Sequence, residues 1–205
     1  MSSKPASASS YQVLYDAIMA SVSTCTAPEL DRFTTNLAQW GTERCEVANV
    51  TLRAADYLAP ALASANPCAR GLLQAFVDQR DAVLWEQSYK AQDGLVGEDM
   101  LSRYGFVEVI GSRGPLLSDT VRAGVGVFGT HVNYPTHHHR AEEIYLVLAG
   151  RGVFNVGETT SRECGPGAIV YVLSDTPHSM QTQDEPLVVL YLWQNGTLRQ
   201  QSSFQ

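Results

Sequence analysis

The feature that most constrains this chain is a change of hydrophobic period near Phe106. Before it, apolar residues recur at helical spacing. Leu30, Phe33, Leu37 and Trp40 share one face, and Leu72, Leu73, Phe76, Val77 and Leu84 follow the start signal Asn66-Pro67. Thr26-Ala-Pro-Glu29 has capping-box spacing with Pro28 in the first turn, and Gly41 can end that helix. Val47, Val50, Leu58 and Leu62 predict a further helix between these two, broken or kinked at Pro60. From Phe106 onward the period becomes two. Val121, Ala123, Val125 and Val127 alternate with Arg122, Gly124, Gly126 and Phe128. Ile144, Leu146 and Leu148 alternate with Glu143, Tyr145 and Val147. Val153–Val156, Ile169–Leu173 and Leu187–Trp193 are further short strands, and Gly165-Pro166-Gly167 is a turn. A helical pattern does not settle as a strand, nor the reverse. The expectation is a mainly β fold with an α-helical N-terminal segment: a disordered lead-in over 1–10, helices over 11–104 and an antiparallel β-barrel over 105–205.

Composition removes several function classes. Hydrophobic residues make up 44% and charged residues 17%, which suits a folded core. No apolar run approaches the roughly 18 residues of a membrane span. The balance of 14 basic to 21 acidic residues gives a charge of −7, and neither half carries the basic stripe that phosphate backbones require, so no nucleic-acid partner is expected. Residues 1–10 lack the basic and apolar regions of a secretory leader, which predicts a cytoplasmic protein. Cys25, Cys45, Cys68 and Cys164 form no C-x-x-C pair and are expected as reduced buried thiols. Trp40, Tyr57 and Trp85 are expected to pack the helical half, which would cover one end of the barrel or form a homodimer contact.

The chemistry lies with the histidines. All five fall between His131 and His178, and three are consecutive. In an extended strand His137 and His139 point to one side and His138 to the other. Glu143 follows four residues after His139, and Tyr145 shares its face. If both strands line one cavity, two imidazoles, a carboxylate and a phenol converge, and His178 is the histidine left to complete the set. Such ligands suit one divalent transition metal, Zn²⁺, Fe²⁺, Mn²⁺ or Ni²⁺, rather than Ca²⁺.

These residues carry a family resemblance. His137-x-His139-x₃-Glu143-x₆-Gly150 resembles the first cupin motif, with His131 at its leading glycine position. Gly167 and His178 match the spacing of the second motif, in which Leu173, Asp175 and Thr182 replace Pro, Gly and Asn. The changed residues are expected to weaken the turn before His178. More narrowly, Tyr134-Pro-Thr-His-His-His139, Ala141-Glu-Glu143 and Tyr145, after a helical segment, are similar to the bacterial cupin-type dimethylsulfoniopropionate (DMSP) lyases. That resemblance implies metal ligation by His139, Glu143 and His178, with Tyr145 at or near the metal and His137 a ligand or its neighbour. It implies pocket aromatics at Tyr134 and Trp193, with Tyr171 and Phe128 as further candidates.

The implied reaction is β-elimination of DMSP to dimethyl sulfide and acrylate. Removing a proton α to a carboxylate builds up negative charge, which a metal on that carboxylate stabilises. Tyrosine at its free pKa of about 10 is a poor base, and metal proximity lowers that value. Tyr145 is therefore the candidate base, with Tyr134 as a second catalytic candidate. Tyr134, Trp193 and His137 are candidates for binding substrate, aromatic faces attracting the sulfonium cation. Other readings stay open: Tyr145 as a barrel tyrosine only, Trp193 as core filler, an Fe²⁺ cupin dioxygenase, and a non-catalytic small-molecule-binding cupin. A sugar-phosphate isomerase lacks a basic cluster beside the histidines. His138 is expected to point away from the metal, His131 to be structural, and Glu142 to be a solvated neighbour of Arg140.

Overall fold

The computed structural model describes residues 8–25, 27–41, 43–158, 161–196 and 198, and the backbone of 203–204. Helix α1 spans Ala8–Thr24, so order begins within the stretch expected to be disordered. Its Tyr11, Leu14, Ile18 and Val22 form one buried stripe at spacings of three and four. Helix α2, Pro28–Ala38, starts on proline, whose fixed φ suits a first turn, and buries Leu30, Phe33 and Leu37. Its cap is Ala27, with no side-chain hydrogen bond; Thr26, the expected cap, lies outside the described residues.

The helix expected over Val47–Leu62 is only partly present. Val47 lies outside any helix or strand, and Val50 forms an isolated parallel bridge with Leu84. A 3₁₀ turn over Arg53–Tyr57 leads into the four-residue α3, Leu58–Ala61, with Pro60 inside it. The Val50 N–H donates to the Val83 carbonyl and the Val50 carbonyl accepts from the Trp85 N–H, which takes the backbone donor and acceptor a helix would have used there. Asn66 does start structure: its side chain accepts from the Cys68 N–H at 3.0 Å, opening the 3₁₀ turn that precedes α4, Arg70–Gln79. Leu84 lies beyond that helix. Helix α5, Glu98–Arg103, leads into the sheets.

Among the described residues eleven strands follow: β1 Tyr104–Gly111, β2 Leu116–Leu117, β3 Val121–Phe128, β4 Asn133–His138, β5 Glu142–Gly150, β6 Gly152–Val156, β7 Arg162–Cys164, β8 Ile169–Val172, β9 His178–Gln181, β10 Leu187–Gln194 and β11 Ser203–Phe204. They form two sheets, ordered β2-β1-β3-β10-β5-β8 and β11-β4-β9-β6-β7, antiparallel except for the β1–β2 pair. This is the antiparallel jelly-roll barrel expected. Gly150 (φ +73°) makes the sharp turn from β5 into β6; a Cβ there would lie 1.6 Å from the Pro186 carbonyl oxygen.

The larger sheet is buried on both faces. Val121, Ala123, Val125 and Val127 of β3, with Ile144, Leu146, Val188, Leu190 and Leu192, share one core with α1, α2 and α4. The helices therefore lie on the outer face of this sheet rather than capping a barrel end. Burying each large apolar side chain contributes about 1.5–3 kcal/mol. The opposite parity of the same strands, including Phe128, Tyr145, Val189, Tyr191 and Trp193, faces the barrel interior.

The cysteines also depart from expectation. Cys25 and Cys68 form a disulfide across a sequence separation of 43, joining the end of α1 to the turn before α4. Cys45 and Cys164 are free, the second of them buried. No helix among the described residues is long and apolar enough to cross a membrane.

Candidate metal centre

Two strands and one loop bring the histidines together. His137 on β4 pairs directly with His178 on β9, while His139 opens the loop into β5. Their ligand atoms all lie within 4.8 Å of one another, and all three rings are buried. Inward parity on β5 sends Glu143 to the same point. Its Oε2 is 3.0 Å from His139 Nε2 and 3.3 Å from His178 Nε2.

The backbone determines how the rings present themselves. His137 Nδ1 lies 3.0 Å from the Pro135 carbonyl, His139 Nδ1 2.9 Å from that of Ala141, and His178 Nδ1 2.9 Å from that of Thr176. A carbonyl oxygen only accepts, so each Nδ1 donates, which in a neutral imidazole leaves the Nε2 lone pair facing the centre. This is the arrangement by which surrounding groups orient metal-ligating histidines. His178 Nε2 is buried without a hydrogen-bond partner among the described residues. Lone pairs converging on a carboxylate leave a place that a cation satisfies, and three imidazoles with one carboxylate suit a divalent transition metal.

Electrostatics agree with that donor set. Burial, with His178 close by, pushes His137 down to about 3, so it stays neutral and able to ligate at ordinary pH. Burial works against the Glu143 carboxylate, but the adjacent His139 and His178 rings outweigh it and hold the group well below the usual carboxylate range.

Tyr145 lies on the inner face of β5, directly opposite Tyr191 of β10, with its ring centroid 6.3 Å from that of His178. Burial, then the Glu143 charge, raises its phenol well above 10. Tyr134 meets His137 edge-on at 5.0 Å, and its hydroxyl lies 3.3 Å from that of Tyr104. Trp193 stacks on His139 at 3.9 Å and also carries the Arg122 guanidinium at 4.9 Å from its ring. Trp193 and Tyr191, two residues apart on β10, thus both face inward.

Tyr134, His137, Glu143, Tyr145 and Trp193 line a cavity of about 350 Å³. Phe128 belongs to it; Tyr171 does not. Tyr171 faces outward, with Arg32 over its ring and its hydroxyl on Glu142. Glu142 is not a solvated neighbour of Arg140. It is 6% exposed and accepts hydrogen bonds from Arg32, Gln194, Asn195 and Tyr171. His138 takes no part in the histidine cluster, and exposed His131 lies 3.5 Å from Asp184.

Sequence reasoning missed the cavity residues Tyr104, Phe106, Arg122 and Tyr191, and Glu86–Ser88 from the nominally helical half. Arg122 and Tyr191 had a readable signal, since they share strand parity with Phe128 and Trp193. Glu86 reaches the cavity because its backbone pairs with Phe106, which no local pattern announces.

The dimethylsulfoniopropionate lyase family profile matches residues 27–189. Dimethylsulfoniopropionate lyase DddQ of Ruegeria pomeroyi is 36% identical over 119 residues, 58% of this chain and 58% of that protein, so the match spans little more than half of that relative's length. The crystal structure of DMSP lyase DddQ from the same organism superposes with a TM-score of 0.84 at 27% identity, covering 97% of this chain and 98% of that one. A chain from the crystal structures of the DMSP lyases RdDddP and RnDddQII gives the same score and identity, with coverages of 96% and 98%. With four-fifths of its length matched to the profile and its whole fold matched to the DddQ barrel, this chain belongs to the dimethylsulfoniopropionate lyase family.

Proposed function

We propose that this protein cleaves DMSP to dimethyl sulfide and acrylate by metal-assisted β-elimination. The observation that carries the reading is the inward placement of Tyr145 on the same strand face as Glu143, beside three imidazoles whose Nε2 atoms converge. His139, Glu143 and His178 would hold the metal, with His137 completing the set. A divalent ion held there supplies Lewis acidity toward the substrate carboxylate and lowers the pKa of a nearby phenol.

Tyr145 is the base for the α-proton. Burial keeps its phenol protonated in the protein alone, so its function as a base depends on that neighbouring positive charge. The sulfonium leaves as a neutral thioether, and no general acid is required. Tyr134, Tyr104 and Phe128 form a contiguous aromatic wall, with Phe128 and Tyr134 edge-to-face at 5.3 Å and Tyr104 stacked on Phe128 at 5.2 Å. Such faces receive a cation. Trp193 is less suited to that task, because a guanidinium already occupies it and would repel a second cation; it orients His139 instead.

The test is headspace dimethyl sulfide from metal-loaded protein given DMSP, with a chelated sample and a Tyr145→Phe variant alongside. Release that the chelator abolishes is expected. Tyr145→Phe should lose at least about a hundredfold in kcat with metal content unchanged, the scale of a missing general base. Retained turnover in that variant would remove Tyr145 from the role.

A further inference from the structure

The cavity has a second polar end that the elimination does not use. Arg122 projects inward from β3, directly opposite Trp193 of β10. Its side chain is 7% exposed, and its Nε donates to Glu108. Among the described residues its two terminal nitrogens have no acceptor, although the guanidinium lines the cavity. Two residues along the same register row, Tyr191 reaches over Gly124, where a Cβ would lie 2.6 Å from the Tyr191 hydroxyl. That hydroxyl is buried and has no hydrogen-bond partner among the described residues; neither has Trp193 Nε1. Three donors therefore share one wall, all lacking an acceptor. Leaving buried donors unpaired costs about 1–3 kcal/mol each, a cost removed when a ligand supplies the acceptor.

The charge around this wall selects the ligand. Glu108 is already saturated. It receives the Arg113 and Gly114 backbone N–H groups as well as Arg122, with the Arg113 side chain 3.7 Å away. Glu86 also lines this end. Burial, then Glu108, raises it to about 7, so it is about half neutral near pH 7. Arg122, Arg113 and Lys90 thus line the cavity with Glu86, which lies 3.7 Å from Arg113, and Glu143 at the histidine end, while Glu108 bonds Arg122 from behind, so the terminal guanidinium nitrogens of Arg122 are the donors left open to an anion.

We propose that Arg122 and Tyr191 form an anion subsite in this cavity that binds a small monocarboxylate independently of the metal. A guanidinium edge takes a carboxylate in a planar two-point contact, and the adjacent phenol adds a third donor. Naming acrylate, the elimination product, as its natural occupant rests on the lyase reading; the subsite itself does not. Acrylate held there while the metal centre is refilled would act as a product inhibitor that does not simply compete with substrate.

Sodium propionate, an unreactive analogue of acrylate, is the probe. Its binding is measured by calorimetry on the full chain, metal-loaded and after chelation, for the parent, Arg122→Lys and Tyr191→Phe. The parent should bind propionate in both states, and Tyr191→Phe should weaken the chelated-state binding about tenfold, the equivalent of one hydrogen bond to a charged group. Arg122→Lys, which keeps the charge but loses the fork, should weaken it at least as much. Tyr191→Phe leaves the Arg122–Glu108 pair intact, so it decides the matter if Arg122→Lys fails to fold. Propionate binding that vanishes with the metal, or that persists unchanged in Tyr191→Phe, overturns the subsite. Absence of dimethyl sulfide release would instead overturn the lyase reading and leave this measurement standing.

Discussion

Two residues of the motif loops carry backbone strain that glycine would not. His131 and Asp175 occupy the leading glycine position of the first cupin motif and the internal glycine position of the second, and both adopt the left-handed region, at φ 55° and 57°. The turn before His178 is therefore kept despite the substitutions. The Asp175 N–H donates to the His139 carbonyl at 2.8 Å, and Ser174 Oγ donates to that of Arg140 at 2.7 Å. Thr182, standing where the motif has Asn, donates to the Gly129 carbonyl and accepts from the Val132 N–H. The His131 N–H donates to the Gln183 carbonyl at 2.9 Å, a bond glycine would keep, and among the described residues its exposed side chain contacts only Asp184, so little from the ring offsets its left-handed conformation. His131→Gly should raise stability by about 0.5–1 kcal/mol in chemical denaturation, the left-handed penalty less the added unfolded-chain entropy. A loss of stability would show that the ring contact outweighs the strain.

At the scale of elements, the joint between α2 and β5 stands out. Glu142 sits beside the proposed ligand Glu143 but on the outer face of the sheet, where it receives Arg32 from α2 and Gln194 and Asn195 from the end of β10. Burial raises its pKa, but the Tyr171 and Gln194 hydrogen bonds outweigh that and hold it below the ordinary carboxylate value. A depressed folded-state pKa gives stability that is present at neutral pH and lost as pH falls through the acid range. Glu142→Gln places an amide among donors that need an acceptor, and should cost about 1–3 kcal/mol at pH 7 in denaturant melts. The difference from the parent should shrink on acidification. Arg32 is 56% exposed, so Arg32→Ala should cost under about 1 kcal/mol. Equal costs for the two would mean that the ion pair, not the hydrogen-bond cluster, holds this joint.

At the scale of the whole molecule, the helical half and the sheet share one core, with Leu14, Ile18, Leu30, Phe33, Leu72 and Phe76 against Val125, Val127, Leu146 and Leu190. The Cys25–Cys68 bridge closes a loop over the 43-residue separation within the helical part. In the chain-entropy description a loop of that size is worth about 4 kcal/mol. Reducing the bridge, or replacing both cysteines by alanine, should lower unfolding free energy by an amount of that order. An unchanged denaturation midpoint under reductant would show that the clasp adds nothing to the helix packing.

Local sequence pattern was enough to reveal the change from helical to strand periodicity, the short strands and the metal-ligand candidates. These are local properties: alternation sends Glu143 and Tyr145 to one face whatever surrounds them, and the spacing from His137 to Glu143 is readable within seven residues. Only the tertiary structure decided which face became the interior. Val121 and Arg122 alternate equally well either way, and the helices settled the matter by covering the valine side. It also decided that His137 meets His178 across 41 positions of chain and that Glu86 reaches the cavity. The burial of Glu142, the pairing of Cys25 with Cys68 and the loss of helix at Val47–Val50 were decided there too. Each depends on a partner distant in sequence, and burial or hydrogen bonding with that partner outweighs local preference.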